Sequence, residues 1–381
     1  MGSEGLEKAA LKLRTPCHVI DLTKLEDNCR ILSRVQEKAG CKILLALKAF
    51  SCHAAFPAIK KYLAGTEASG LFEAKLGREF GKQVHVYSPA FSPEDMPEIL
   101  KIADHIVFNS FAQWKRYKAL VGKSKRKISC GIRVNPEYSE IKMPLYNPCI
   151  PGSRFGVLAS DMQPLDGLEG LHFHTLCEQG ADALQNTIPH LEKRFERELK
   201  EVKWVNFGGG HHITRKDYDV KLLVRIIKDF KRKWNVEVYI EPGEAIALDA
   251  GIMTATVLDI VQNEKDIAIL DTSAIAHVPD VIFTCGDYRA IIEGAGVPGE
   301  KKHLYRIAGQ TCAAGDIFGD YSFDRKLKVG DKLVFRNMAI YNMTQTSMFN
   351  GINSPSIALW DGKKLKVVRE FGFVDYRKRL G

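Results

Sequence analysis

The sequence predicts a (β/α)8 barrel joined to a mostly β domain. Three observations carry that reading. Short apolar runs alternate with helical patterns through the first two-thirds of the chain, which implies a parallel sheet. About eight such units fit into roughly 220 residues, the size of one barrel. After Ala245 the helical periodicity gives way to short strand-like runs separated by turn residues.

The strands and helices follow in order. Lys42 to Lys48 (KILLALK) is a buried strand, and Cys52 to Ala64 the helix after it. Gln83 to Ser88 is a strand and Glu94 to Ala103 a helix. His105 to Asn109 and the helix Phe111 to Val121 form the next pair. Lys127 to Asn135 and Leu168 to Leu176 are further strands. Leu184, Ile188, Leu191, Phe195 and Leu199 recur at spacings of three and four, one face of a helix. Val202 to Phe207 is a strand, and Leu222, Leu223, Ile226, Ile227 and Phe230 line a second amphipathic helix. Val236 to Ile240 closes the series. Beyond it, Thr254 to Val261, Ile267 to Leu270, Leu304 to Ile307, Lys332 to Phe335 and Ile357 to Trp360 read as strands. Turns such as Val329-Gly330-Asp331 and Asp361-Gly362 separate them.

Composition bounds the function. The chain has 381 residues, 45% hydrophobic and 27% charged, enough to bury a core without staples and too evenly mixed for a disordered protein. Nine cysteines are scattered from Cys17 to Cys312 with no C-x-x-C pair, which argues against a zinc ribbon and fits a reducing compartment. No run approaches 18 consecutive apolar residues, and Met1 to Arg14 has no apolar core and carries Glu4 and Glu7. A cytoplasmic protein that spans no membrane is expected. The net charge of +9 is dispersed, and its densest cluster, Lys228 to Lys233, sits on the polar side of a helix; a solvated face is expected there, not a nucleic-acid site.

In a barrel of this kind functional residues sit at the C-terminal ends of strands. Lys48 closes an apolar strand, where desolvation lowers an amine's pKa and makes it nucleophilic; the alternative is a lysine escaping to solvent. His172 and His174 share one face of their strand. Together with His211 and His212 they offer metal ligands, a flat partner for an aromatic cofactor, or hydrogen-bonded core histidines. Gly208-Gly209-Gly210 follows a strand, where flexible backbone suits either a phosphate or a simple turn. Glu241, in I-E-P-G-E, points a carboxylate at the barrel mouth unless it is a solvated turn residue. Cys312 lies in the glycine-bracketed loop GQTCAAGD.

Taken in order, Lys48, His174, the triple glycine, E-P-G and the G-x-x-C loop resemble the alanine-racemase-type, fold-III pyridoxal-phosphate decarboxylases, from about Thr15 to Phe371. The segments HFHTLCE, NFGGGHHIT, EPGEA, GQTCAAGD and AIYNMTQTSMFNG are most similar to the carboxynorspermidine (carboxyspermidine) decarboxylase branch. The resemblance implies residues 25–245 as a cofactor-binding barrel and residues 1–24 with 246–381 as a β domain that completes a partner's active site in a homodimer. It implies Lys48 as the lysine joined to pyridoxal 5'-phosphate and His174 as the histidine stacked on its ring. Gly208, Gly209 and Gly210 then bind the phosphate, with Tyr341 reaching it, and Glu241 pairs with the pyridine nitrogen. Cys312 is the implied proton donor. Glu244, Asp280 and Asp316 are implied contacts for a small cationic carboxy-polyamine, with no metal, nucleic acid or membrane involved.

Three departures stand out. Glu244 occupies the place where the ornithine and diaminopimelate types hold an arginine near the phosphate; an acid there should face something cationic. Ala313 replaces the acid that follows the loop cysteine in the diaminopimelate type. Cys177 stands where relatives have a phosphate-binding serine. The remaining readings are a racemase, which would pair the pyridine with arginine rather than Glu241; a diaminopimelate- or ornithine-type decarboxylase; and a non-catalytic homologue that binds or regulates.

Overall fold

A computed structural model describes residues 2–284 and 287–381. The chain divides into two compact units, Met1–Leu25 with Ala247–Gly381, and Glu26–Ile246. The first strand of the chain, β1 (Cys17–Asp21), belongs to the first unit. The second is a closed parallel barrel of β2 (Lys42–Ala46), β3 (Gly65–Ala68), β4 (Gln83–Tyr87), β5 (His105–Phe108), β6 (Ser129–Arg133), β7 (Gly170–His172), β8 (Trp204–Asn206) and β9 (Glu237–Ile240), with β9 pairing back onto β2. The predicted barrel is therefore present.

Its outer helices follow ordinary rules. Helix Val220–Trp234 starts at Asp219, whose side chain accepts from Leu222 N, and ends at Asn235 in a left-handed conformation. Leu223, Ile226, Ile227 and Phe230 form its buried stripe, and Lys231, Arg232 and Lys233 occupy the last turn, where the helix dipole favours cations. Inside the barrel Leu44, Tyr87, Val107, Trp204 and Tyr239 pack together. Trp204 needs room that only glycine leaves: a Cβ on Gly170 would lie 2.1 Å from the indole.

Two features differ from the sequence reading. The expected helix over Cys52–Ala64 is two short pieces, His53–Ala55 and Phe56–Ile59, because the chain must turn in time for Ala64 N to reach Ile43 O and start β3. β3 itself, Gly-Thr-Glu-Ala, has no apolar alternation, yet all four residues are buried.

The other unit holds an eight-stranded sheet: β1, β10 (Gly251–Asn263), β11 (Lys265–Leu270), β12 (His303–Ala308), β13 (Ile317–Phe323), β14 (Lys332–Arg336), β15 (Ser356–Trp360) and β16 (Leu365–Arg369). Its order is β13-β12-β11-β10-β1-β15-β16, with β14 also on β10. β1 runs antiparallel to β10 and parallel to β15, so it lies mid-sheet. Cys17 and Val19 pack with Leu6 and Ala10 of the helix Gly2–Ala10 and with Ile252, Val334 and Ala358.

Candidate active site

The C-terminal ends of the barrel strands bring together Lys48, His174, the glycine loop, Glu241 and Glu244. Lys48 lies two residues past β2; Leu47, Ala49 and Phe50 are buried, whereas Lys48 is exposed. The desolvation expected for it is thus not supplied by the strand end. Glu241 follows β9 and is buried. Its Oε1 accepts from Asn206 Nδ2 at 2.6 Å, and its Oε2 lies 3.3 Å from His172 Nε2. Burial pushes Glu241 upward, but His172, Lys48 and Asn206 together outweigh it and hold the carboxyl below its ordinary range. Glu241 is therefore an anion inside the barrel mouth.

Asn206 also serves the glycine loop, since its Oδ1 accepts from Gly208 N at 2.9 Å. Gly209 N donates to His174 Nδ1 at 2.8 Å. That bond makes Nδ1 an acceptor, so His174 is neutral with its proton on Nε2. Enclosure, with Lys48 and Arg133 nearby, keeps His174 well below its ordinary value. The Gly208 and Gly209 amides thus donate to side chains of the same cluster. Gly210 has φ +81°, and a Cβ on it would come 1.9 Å from Leu176 O. Glu244 is half-buried, its Oε1 3.7 Å from His212 Nε2.

Two residues of this cluster, Arg133 and Glu67, escaped the motif reading, and His172 was singled out there without its partner. His172 is the partner of Glu241, and burial keeps it neutral. Arg133, at the end of β6, is buried between the rings of Tyr87 (4.8 Å) and Phe155 (4.6 Å) and donates to His174 O at 3.3 Å. Glu67, on β3, is buried; burial and the Glu241 charge push it well above the carboxylate range, against the pull of Lys48 and Arg133. The two carboxyls are thus driven in opposite directions, Glu241 downward and Glu67 upward. Arginine at a strand end was a usable signal; a lone glutamate in an irregular strand was not.

In the β unit Cys312 is exposed and its amide donates to Asn350 Oδ1 at 2.8 Å. Asp280 opens the short helix Asp280–Phe283 and is half-buried. Tyr341 sits in a tight turn with φ 40° and ψ −60°, Asn342 N donating to Ile340 O across it, a strained conformation for an aromatic residue. Asp316 departs from expectation. It is buried, Oδ1 accepts from Ser273 Oγ, Ala274 N and Ile275 N, and Oδ2 accepts from Thr311 N and Oγ1. With both oxygens saturated it braces the loop rather than presenting an acceptor to a substrate. Among the described residues no group of three or more His, Cys, Asp and Glu side chains converges to hold a metal.

The barrel mouth suits a phosphorylated pyridine. A buried anion, an exposed lysine and a loop whose tight packing tolerates no side chain come together there. Residues 17–339 match the family model described as pyridoxal-dependent decarboxylase, C-terminal sheet domain. The chain belongs to the pyridoxal-phosphate-dependent decarboxylases. Within them it is 43% identical, over 97% of its length and 99% of the relative's, to the carboxynorspermidine/carboxyspermidine decarboxylase of Campylobacter jejuni. It is 41% identical, over 97% of its length and 96% of the relative's, to the carboxyaminopropylagmatine decarboxylase of Synechocystis. The crystal structure of the Campylobacter jejuni carboxynorspermidine decarboxylase complexed with norspermidine superposes with a TM-score of 0.89 at 41% identity, covering 96% of this chain and all of that one. Diaminopimelate decarboxylase from Helicobacter pylori shares the fold at TM-score 0.82 and 18% identity.

Proposed function

We propose that the protein decarboxylates carboxynorspermidine and carboxyspermidine to norspermidine and spermidine. The observation that carries this reading is the ionised, buried Glu241 held by His172 and Asn206 in the electrostatic field of Lys48. It is supported by the 43% identity with the Campylobacter jejuni enzyme across nearly all of both chains. Pyridoxal 5'-phosphate, joined to Lys48, supplies the electron sink for the bond to carbon dioxide. Glu241 keeps a proton at the ring nitrogen. His174, neutral and held by Gly209 N, would be the residue that packs on the ring. Gly210 and Tyr341 serve the phosphate. Cys312 Sγ delivers a proton to the carbon that has lost its carboxylate. Asp280 and Glu244 receive the cationic amines of the tail.

The same reading makes the active form a homodimer, each β unit completing its partner's site. A cytoplasmic setting accords with free thiols at all eight cysteines among the described residues. No described helix is long and apolar enough to cross a membrane.

The test is carbon dioxide release from purified protein with carboxynorspermidine, carboxyspermidine, carboxyaminopropylagmatine, ornithine and diaminopimelate. Highest kcat/KM on the first two supports the assignment. Preference for the agmatine derivative would move this chain to the specificity of its Synechocystis relative, and preference for diaminopimelate would remove the polyamine reading. Borohydride reduction and peptide mapping should place the pyridoxyl group on Lys48. Mixing inactive Lys48→Ala with inactive Cys312→Ala should restore activity through hybrid dimers; none returning after demonstrated subunit exchange would refute shared sites.

A further inference from the structure

We propose that Asp316 is a positioning residue: its carboxylate clasps the Cys312 loop to the helix that leads into Asp280, so that proton delivery and tail recognition are held as one piece. This rests on the roles given above to Cys312 and Asp280.

The loop has little else to hold it. Residues 309–315 are Gly-Gln-Thr-Cys-Ala-Ala-Gly, and Cys312, Ala314 and Gly315 are exposed. No large apolar side chain anchors it. Asp316, 3% exposed, reaches in both directions. Its Oδ2 accepts from Thr311 Oγ1 at 2.6 Å and Thr311 N at 3.1 Å, next to Cys312. Its Oδ1 accepts from Ser273 Oγ at 2.9 Å, Ala274 N at 2.7 Å and Ile275 N at 3.3 Å, the start of helix Ala274–His277. That helix runs on through Val278 and Pro279 into Asp280. Gly309 makes room for the carboxylate, for a Cβ there would lie 2.3 Å from Oδ2. Gln310 adds a parallel tie, its Nε2 to Asp271 O at 3.1 Å and its N to Thr272 O at 3.2 Å. On the other side of the thiol, Asn350 Oδ1 takes the Cys312 amide at 2.8 Å, from a left-handed backbone (φ 57°) that asparagine tolerates. Cys312 is thus fixed on both flanks while its sulfur stays open. A charged acceptor serving two segments couples them, because moving either strips donors from a buried anion.

The bonds can be cut separately in the full-length holoenzyme. Thr311→Val removes a loop-side bond, and Ser273→Ala a helix-side bond. Kinetics on carboxynorspermidine are read alongside the rate at which a disulfide reagent labels Cys312. Thr311→Val should lower kcat about tenfold with KM little changed, and Ser273→Ala should raise KM about tenfold with kcat little changed, each the effect of one charge-assisted hydrogen bond. The Cys312 labelling rate should change several-fold in Thr311→Val, an effect of similar origin. Asp316→Asn should move all three readouts, and the two single-bond variants stand in for it if it fails to fold. Unchanged kcat, KM and labelling in both single-bond variants, with only a lowered melting temperature, would overturn the clasp. A fully active Cys312→Ala alongside altered labelling in Thr311→Val would refute the proton-donor role and uphold the clasp.

Discussion

Replacing His85 by phenylalanine should make the protein more resistant to acid. Burial drives seven histidines below their ordinary value: His18 to about 3, His105, His211 and His277 to about 4, His85 and His174 well down, and His172 less far. Each is neutral in the fold, but takes up a proton near pH 6.5 once unfolded. Their contribution to stability is therefore complete above about pH 6.5 and is lost as pH falls from there toward the folded values. Between pH 7 and 5.5 one such histidine removes about 1.3 kcal/mol, and seven together at most about 9 kcal/mol. His85 isolates the effect. It is 1% exposed, and neither ring nitrogen has a hydrogen-bond partner among the described residues. Its ring stacks on His105 at 4.0 Å and 8° and leans on Tyr239 at 4.7 Å, contacts that phenylalanine keeps. At pH 7 the variant should match the parent within about 1 kcal/mol, since two unpaired polar atoms leave with the ring. At pH 5.5 it should gain about 1.3 kcal/mol more. Urea unfolding of the cofactor-free protein at both pH values, followed by tryptophan fluorescence and circular dichroism, measures this. Identical pH dependence in variant and parent would refute the claim that His85 is kept from protonating by the fold.

Asn206→Leu should cost about 3–5 kcal/mol, because it strips a bond from the ionised Glu241 and orphans Gly208 N; urea unfolding and cofactor titration both report it. Glu67→Gln should gain stability over the parent as pH rises from 5 to 7: a raised carboxyl stabilises the fold below its unfolded value, about 4.3, and that benefit is lost with rising pH, whereas an amide does not titrate. Matching melting curves across that range would show Glu67 to be ionised in the fold. Gly210→Ala should lose at least about 2 kcal/mol and most cofactor affinity, from the clash with Leu176 O and the left-handed backbone; absorbance titration with pyridoxal phosphate checks it.

The barrel was legible wherever a strand carries an apolar run, as in KILLALK. It was illegible at β3, where neighbours rather than side-chain chemistry dictate burial and Glu67 is enclosed by residues far along the chain. Motif order identified Glu241, but not that His172 and Asn206 hold it, because pairing across strands depends on register. The triple glycine was visible as flexible backbone; which amides it spends internally depends on where Asn206 and His174 point. Asp316 illustrates the same limit. A carboxylate in a loop reads as a ligand group until the helix whose amides it caps, more than forty residues earlier in the sequence, is placed beside it. Lys48 shows the converse: an apolar run says that its strand is buried, not that its own ammonium is.

The position of β1 also orders the birth of the protein. This strand leaves the ribosome long before its neighbours in the sheet, Gly251–Thr254 and Ser356–Trp360. At 5–20 residues per second, Cys17 waits roughly 20 to 70 s for its last partner. Throughout that interval a whole barrel can form downstream while Val19 and Ile20 stand as a bare apolar edge, open to pairing with another nascent chain. β1 is therefore the late-closing seam of this molecule. A bulky fusion placed directly ahead of Cys17 would hinder the step that completes the sheet, whereas the barrel, lying wholly between the two segments of the β unit, could form without waiting for it.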